Sequence, residues 1–164
     1  MIALVRVDNR LLHGQVLEAW IPALGAARVV VADDTAATNV LARSAMTLCL
    51  PPGMAAEVVP LTGLDWKALA ASPETVLVLV RDVEALVRAR GAGLAPEHAP
   101  RVNVGNVHFA AARKAVTPSV WLSDEEIRTL RDMEAAGFQV EVRAIPGEPP
   151  TGLTEIERRY AAAR

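Results

Sequence analysis

Ile2-Ala3-Leu4-Val5-Arg6-Val7-Asp8-Asn9-Arg10-Leu11-Leu12-His13-Gly14-Gln15-Val16 begins as a mostly apolar run of strand length and breaks at the polar cluster Asp8-Asn9-Arg10. Beyond Gly14 the period changes. Leu12, Val16 and Trp20 fall four apart, with Leu17, Ile21 and Leu24 beside them, which is one face of a helix. Pro22 lacks an amide hydrogen and crowds the preceding turn, so this helix is expected to end or bend near Trp20. Strand-length apolar runs and helical patterns alternate in this way along the rest of the chain, without an internal sequence repeat.

Val29–Ala32 is the next strand, its unbroken apolar run predicting burial on both faces. Thr35–Leu50 reads as one helix closed by Pro51-Pro52-Gly53, followed by a strand at Ala56–Leu61 and a short helix at Trp66–Ala71. Thr75–Val80 is a strongly apolar strand. Asp82 then stands as an N-cap for a helix with Val83, Leu86 and Val87 on one face and Gly91 past its end. Arg101–Gly105 is a further strand leading into a Gly-Asn turn, and Ser119–Leu122 another. Ser123-Asp124-Glu125-Glu126 is a capping box for a helix carrying Ile127, Leu130 and Met133 and stopping at Gly137. Phe138–Ile145 alternates as a last strand; after the linker Pro146–Pro150, Thr154–Glu157 reads as a second capping box opening a terminal helix. Alternation of this kind predicts an α/β fold: an open, mostly parallel sheet covered by helices on both faces, in a single domain over residues 1–164. In such sheets ligands sit at the carboxyl ends of the strands, just after Val7, Ala32, Val80 and Val104.

Composition narrows the function. The 164 residues are 52% hydrophobic, largely Ala, Val and Leu, enough for an aliphatic core. A net charge of −2 without a basic stripe argues against a nucleic-acid partner. The apolar runs fall far short of the roughly 20 residues of a membrane helix, so no membrane insertion is expected. The N-terminus shows no signal peptide, and the expected location is cytoplasmic. Cys49 is the single cysteine, which rules out an internal disulfide and a multi-cysteine metal site.

The loop after the first strand holds the richest chemistry. His13 sits just before a helix, with Asp8, Arg6 and Arg10 close before it. Imidazole, with an unperturbed pKa near 6.5, keeps a free ring nitrogen at neutral pH and makes a phosphoryl bond labile enough to pass on. Helix-start N–H groups at Gly14 and Gln15 suit phosphate oxygens, and arginine adds planar, charge-assisted bonds to them. Each residue alone has a plainer reading: His13 as a surface or capping residue, Arg10 as a solvated charge, Asp8 as a turn cap. Their coincidence in one loop, at the right end of the right strand, favours phosphoryl chemistry.

These residues resemble a known family. Arg6 through Val16, with Trp20 four beyond, is similar to the active-site loop of mannose/fructose/sorbose-family enzyme IIB proteins of the bacterial phosphotransferase system. Val29-Val30-Val31-Ala32 running into Asp33-Asp34, the turn Pro51-Pro52-Gly53-Met54, the late loop Val102–His108 and the helix start Ser123–Glu126 continue the likeness in order along nearly the whole chain. The resemblance implies that His13 is the phosphorylated residue, carried on Nδ1. It implies that Arg10 holds the phosphoryl group in transfer, that Asp8 orients the loop, and that Arg6 is a second candidate at the same site. The implied activity is that of a protein-phosphohistidine–sugar phosphotransferase needing no cofactor and no metal. The implied partners are a phosphohistidine-bearing IIA protein, the IIC/IID membrane permease and its sugar. Asn9 departs from relatives that carry an acid there; its side chain still serves a turn. His108 lies near the active face without being the carrier, while Asp33 and Asp34 shape the neighbouring loop and cap the second helix.

Three rivals were weighed. A dinucleotide enzyme needs Gly-x-Gly-x-x-Gly after the first strand, where this chain has one glycine and two arginines. A metal hydrolase is disfavoured because His13, His98 and His108 make no i,i+4 pair. The remaining alternative is a regulatory phosphoprotein of IIB fold that signals rather than transports; it uses the same His13 chemistry, and adjacent IIC and IID genes would distinguish the two. Homo-oligomerisation and the sugar's identity stay open at this stage.

Overall fold

In the computed structural model, which describes residues 1–163, the opening apolar run is β1 (Ile2–Asp8), in the middle of a seven-stranded sheet. It pairs in parallel with β4 (Val76–Val80) on one side and β5 (Arg101–Asn106) on the other. Outward from β4 lie β2 (Arg28–Ala32) and then β3 (Ala55–Val59); outward from β5 lies β8 (Gln139–Val142), all parallel. β9 (Thr151–Gly152) runs antiparallel along the outer side of β8. β6 (Lys114–Thr117) and β7 (Val120–Leu122) form a separate hairpin. The expected open, mostly parallel α/β sheet is what forms.

Strand alternation sorts the core onto two faces. Val76, Val78 and Val80 of β4 join Val30 and Ala32 of β2 on one face; Leu77 and Leu79 join Val29 and Val31 on the other. The first face is covered by α4 (Trp66–Ala70), α5 (Val83–Gly91), α6 (Asp124–Ala135) and α7 (Leu153–Ala162). The second takes Val16, Trp20 and Ile21 from the first helix and Ala36 from α2 (Asp34–Thr38). Continuous Val/Leu runs are needed because both faces are dry.

Several boundaries differ from expectation. The first helix opens as a π-helical turn, Val16–Trp20, in which the Ile21 N–H reaches five residues back to the Val16 carbonyl. It tightens into α1 (Ile21–Leu24) with Pro22 in the first turn and ends on Gly25 at φ 60°. The anticipated change near Trp20 is therefore a switch of helix type. Thr35–Leu50 is two helices, α2 and α3 (Val40–Leu48), because Asn39 is extended (φ −96°, ψ 106°) and its side chain caps α3 by accepting from Ala42 N at 3.0 Å. β3 stops at Val59, since Pro60 has no N–H to continue the ladder, and Leu61–Gly63 is a 3₁₀ turn. Gly91 closes α5 from inside; Gly93, at φ 102°, supplies the left-handed turn. Val87 faces solvent rather than the core. The last strand is shorter than Phe138–Ile145, and Thr154 lies inside α7, whose start at Gly152 uses no side-chain cap. The Ser123–Glu126 capping box forms as expected.

Candidate active site

Asp8 ends β1 opposite a bulge, where the pairing skips from Val7↔Val104 to Asp8↔Asn106. Its side chain is wholly buried, and its carboxylate gathers three donors: Arg6 Nη2 at 2.8 Å, His13 Nε2 at 3.0 Å and the Arg10 backbone N–H at 3.1 Å. The loop between Asp8 and His13 is shaped by its leucines. Leu11 adopts φ 57°, donates its N–H to the Asp8 carbonyl at 2.9 Å, and with Leu12 plugs into the core beneath. Seating both leucines leaves His13 at the rim, where its carbonyl accepts the N–H groups of Val16 and Leu17.

Burial pushes the Asp8 carboxyl up, but the hydrogen bond from His13 and the charge of Arg6 outweigh it and hold the group below the ordinary aspartate value. An ionised carboxylate only accepts hydrogen bonds, so the hydrogen of a neutral His13 ring is drawn to Nε2. Nδ1 then keeps its lone pair. The side chain is 15% exposed, so the ring is packed without being sealed.

Arg10 borders the same opening with its side chain 49% exposed. Its Nε lies 4.0 Å from Asp8 Oδ1, and its Nη2 is 3.4 Å from Gln15 Oε1. Asn106, with its amide turned to satisfy both ends, accepts from Arg10 Nε at 3.1 Å and donates to the Ser119 carbonyl at 3.1 Å. Gly14 has open space where a Cβ would stand, and the Gly14 and Gln15 N–H groups belong to the first turn, where helix donors lack intrahelical acceptors. Asp8, Arg10, His13 and Gln15 are thus linked by contacts, with Gly14 next to His13 in the chain.

Arg6 does not join them at the opening, and its assignment to phosphate binding is corrected here. It is completely buried. Nη1 donates to Asn103 Oδ1 at 2.6 Å, and Nη2 donates to Asp8 and to the Ala144 carbonyl at 3.1 Å. Its Cζ lies 4.8 Å from the centre of the Trp20 ring, which also carries Arg143 at 5.2 Å and donates Nε1–H to the Ala144 carbonyl at 2.9 Å. Burial pulls the Arg6 guanidinium below its ordinary pKa while Asp8 pulls it back up. Arg6 therefore acts from behind as the counter-ion that keeps Asp8 charged.

Residues 2–161 match one family description, "PTS system sorbose subfamily IIB component". The chain belongs to this family of phosphotransferase-system IIB components. It is 30% identical over 155 residues to the N-acetylgalactosamine-specific phosphotransferase enzyme IIB component 2 of Escherichia coli (strain K12), covering 94% of this chain and 98% of that protein. It is 28% identical over 161 residues to the mannose-specific EIIAB component of the same organism, covering 95% of this chain and 48% of that longer protein. The crystal structure of manxB from Thermoanaerobacter tengcongensis superposes with a TM-score of 0.85 at 28% identity, over 98% of this chain and 96% of that one. Carrying a phosphoryl group between a IIA partner and the sugar-translocating permease is the general role of IIB components. No helix among the described residues of this IIB chain is long and apolar enough to cross a membrane.

Around the IIB site, Asn9 binds three loops together. Its Nδ2 donates to the Arg81 carbonyl at 2.8 Å, its Oδ1 accepts from His108 N at 2.5 Å, and its own N–H reaches the Asn106 carbonyl at 3.0 Å. A carboxylate could not make the first of these bonds, which accounts for an amide at this position. His108 is exposed, contributing its backbone to this knot and to Arg113. Asp33 caps α2 through Ala36 N at 2.7 Å and receives a two-pronged bond from Arg81; Asp34 accepts from Leu61 N at 2.9 Å. Asn103, Trp20 and Arg143 were missed as supports of the site. The available signal was a polar residue set between Val102 and Val104 in an otherwise apolar strand.

Proposed function

We propose that this IIB chain accepts a phosphoryl group on His13 Nδ1 from the phosphohistidine of a IIA protein and delivers it to a sugar at a IIC/IID permease. The observation that carries this reading is the contact of His13 Nε2 with the buried Asp8 carboxylate, which in the neutral ring favours the hydrogen on Nε2 and a free lone pair on Nδ1. In the forward step the Nδ1 lone pair attacks phosphorus, the donor's N–P bond breaks, and the donor imidazole leaves with that electron pair. Nε2–H stays on Asp8, whose negative charge offsets the positive charge that builds on the phosphorylated ring. Arg10 and the first-turn N–H groups of Gly14 and Gln15 take up the phosphoryl oxygens. In the second step the sugar hydroxyl oxygen attacks phosphorus, the N–P bond of His13 breaks with its electron pair returning to Nδ1, and the hydroxyl proton passes to solvent. Little acid–base machinery is needed, since positioning and charge stabilisation dominate phosphoryl transfer.

The test is incubation with phosphoenolpyruvate, enzyme I, HPr and a matching IIA protein, followed by intact mass measurement. One acid-labile phosphate is expected on the parent and on His108→Ala, and none on His13→Ala. A label that persists in His13→Ala and vanishes in His108→Ala would place the chemistry elsewhere.

A further inference from the structure

Beneath the phosphorylation loop, the buried Arg6 lies against a backbone that has no side chain. Arg6 is in register with Asn103, and Gly105 lies two residues further on, at the bulge where the pairing skips from Val104 to Asn106. A Cβ built on Gly105 would stand 2.0 Å from Arg6 Cζ, 2.0 Å from Nη1 and 2.1 Å from Nη2, inside the guanidinium itself. Gly105 is not among the glycines with positive φ, so its backbone does not require glycine on conformational grounds. What requires it is space. The guanidinium cannot withdraw and keep its contacts: Trp20 lies on one side, Asp8 and Asn103 hold its two terminal nitrogens, and its Nε has no acceptor among the described residues.

We propose that Gly105 is a positioning residue for phosphoryl transfer: its missing side chain forms the bay that seats Arg6, and Arg6 through Asp8 fixes which nitrogen of His13 is free. This rests on His13 being the phosphoryl acceptor. A methyl group in the bay meets the far end of a flexible side chain rather than backbone, so the guanidinium yields and the sheet survives. Displaced, Arg6 loses Asn103 and Asp8 together. Asp8 then no longer holds a fixed charge under the ring, and His13 populates both tautomers.

The experiment is Gly105→Ala in uniformly ¹⁵N-labelled protein, reading the His13 ring nitrogens at neutral pH without any phosphate donor. The parent should show a protonated Nε2 and a bare Nδ1; Gly105→Ala should show averaged nitrogens in a folded protein. Its phosphorylation rate with the donor chain should fall at least about twofold, because a ring that shares its hydrogen between both nitrogens presents a bare Nδ1 only part of the time. In an Arg6→Lys background, which lacks the three atoms the methyl meets, Gly105→Ala should add little, because residues acting through one contact are not additive. Unchanged His13 nitrogens, an unfolded Gly105→Ala protein, or an equal loss in both backgrounds each overturns the proposal. If the parent takes no phosphate on His13, the functional reading fails, yet the nitrogen spectra still decide whether Gly105 acts on His13 through Arg6.

Discussion

Asp8 does two jobs with one carboxylate, and the two separate experimentally. Toward the interior it neutralises Arg6; toward the rim it orients His13. Asp8→Ala leaves a buried guanidinium without its ion, so it should cost about 3–5 kcal/mol of stability, read from urea denaturation. A loss under 1 kcal/mol would mean that Arg6 is satisfied by Asn103 and the Ala144 carbonyl alone. Arg10 has the opposite profile. Half exposed and weakly tied, it contributes little to folding, but on the proposed mechanism its removal withdraws positive charge from a transferring group. Arg10→Ala should keep the parental denaturation midpoint and slow phosphorylation by about 10²–10³-fold in quenched-flow measurements with phosphorylated IIA; an unchanged rate would remove Arg10 from the site. The meeting of His13, Arg10 and Asp8 at the end of β1 was legible because one short loop carries all three. Arg6 was not, since its burial depends on Asn103 and Gly105 about a hundred positions away. An arginine beside an active-site loop reads as a ligand until the far strand shows that it is walled in.

At the level of elements, α3 stands apart. Every one of its residues is at least partly exposed, with Leu41 and Leu48 above 80%. A short helix with so little buried surface draws little stability from packing, so its amides should exchange with deuterium far faster than those of β1 and β4. Equal protection would show that α3 is held by something more than its cap. α6 is the contrast. Ser123 accepts from Glu126 N at 3.2 Å and Glu126 returns to Ser123 N at 2.9 Å, so Ser123→Ala should lower stability by about 1 kcal/mol in urea titration. The strands β1, β2 and β4 could be read because apolar runs buried on both faces admit few other structures. The split at Asn39 could not, because one asparagine within an Ala- and Leu-rich stretch looks like a mild flaw in a single helix. Two-residue β9 has no pattern to read; only β8 beside it makes it a strand.

For the whole molecule, acid should reveal how much of the fold is held by ionised carboxylates. Asp33, like Asp8, is pushed up by burial but held below the ordinary value overall, chiefly by its bonds from Arg81 and Ala36. A carboxyl whose folded pKa lies below its unfolded one stabilises the protein fully above the unfolded value, about 3.9 for aspartate, and loses that contribution as pH falls through the folded value. The urea midpoint should therefore stay level near neutrality and fall below about pH 4. Asp33→Asn should make that fall shallower. If its acid limb matches the parent's, the Asp33–Arg81 pair does not stabilise the fold.

The two outer rims of the sheet are finished differently, and this bears on how the protein fails. Beside β3 the chain carries Pro51 and Pro52 before the strand and Pro60 after it, residues that cannot lend a hydrogen to an incoming strand. On the other rim nothing in β8 itself plays that part; the tail does, through β9 and through Leu153 and Ile156 pressed into the core. Proteolysis just before Thr151 would strip that guard and uncover a ready template of backbone donors and acceptors next to freshly bared hydrocarbon. Nicked chains would then pair edge to edge through β8 into closed dimers, while the proline-flanked rim stayed inert.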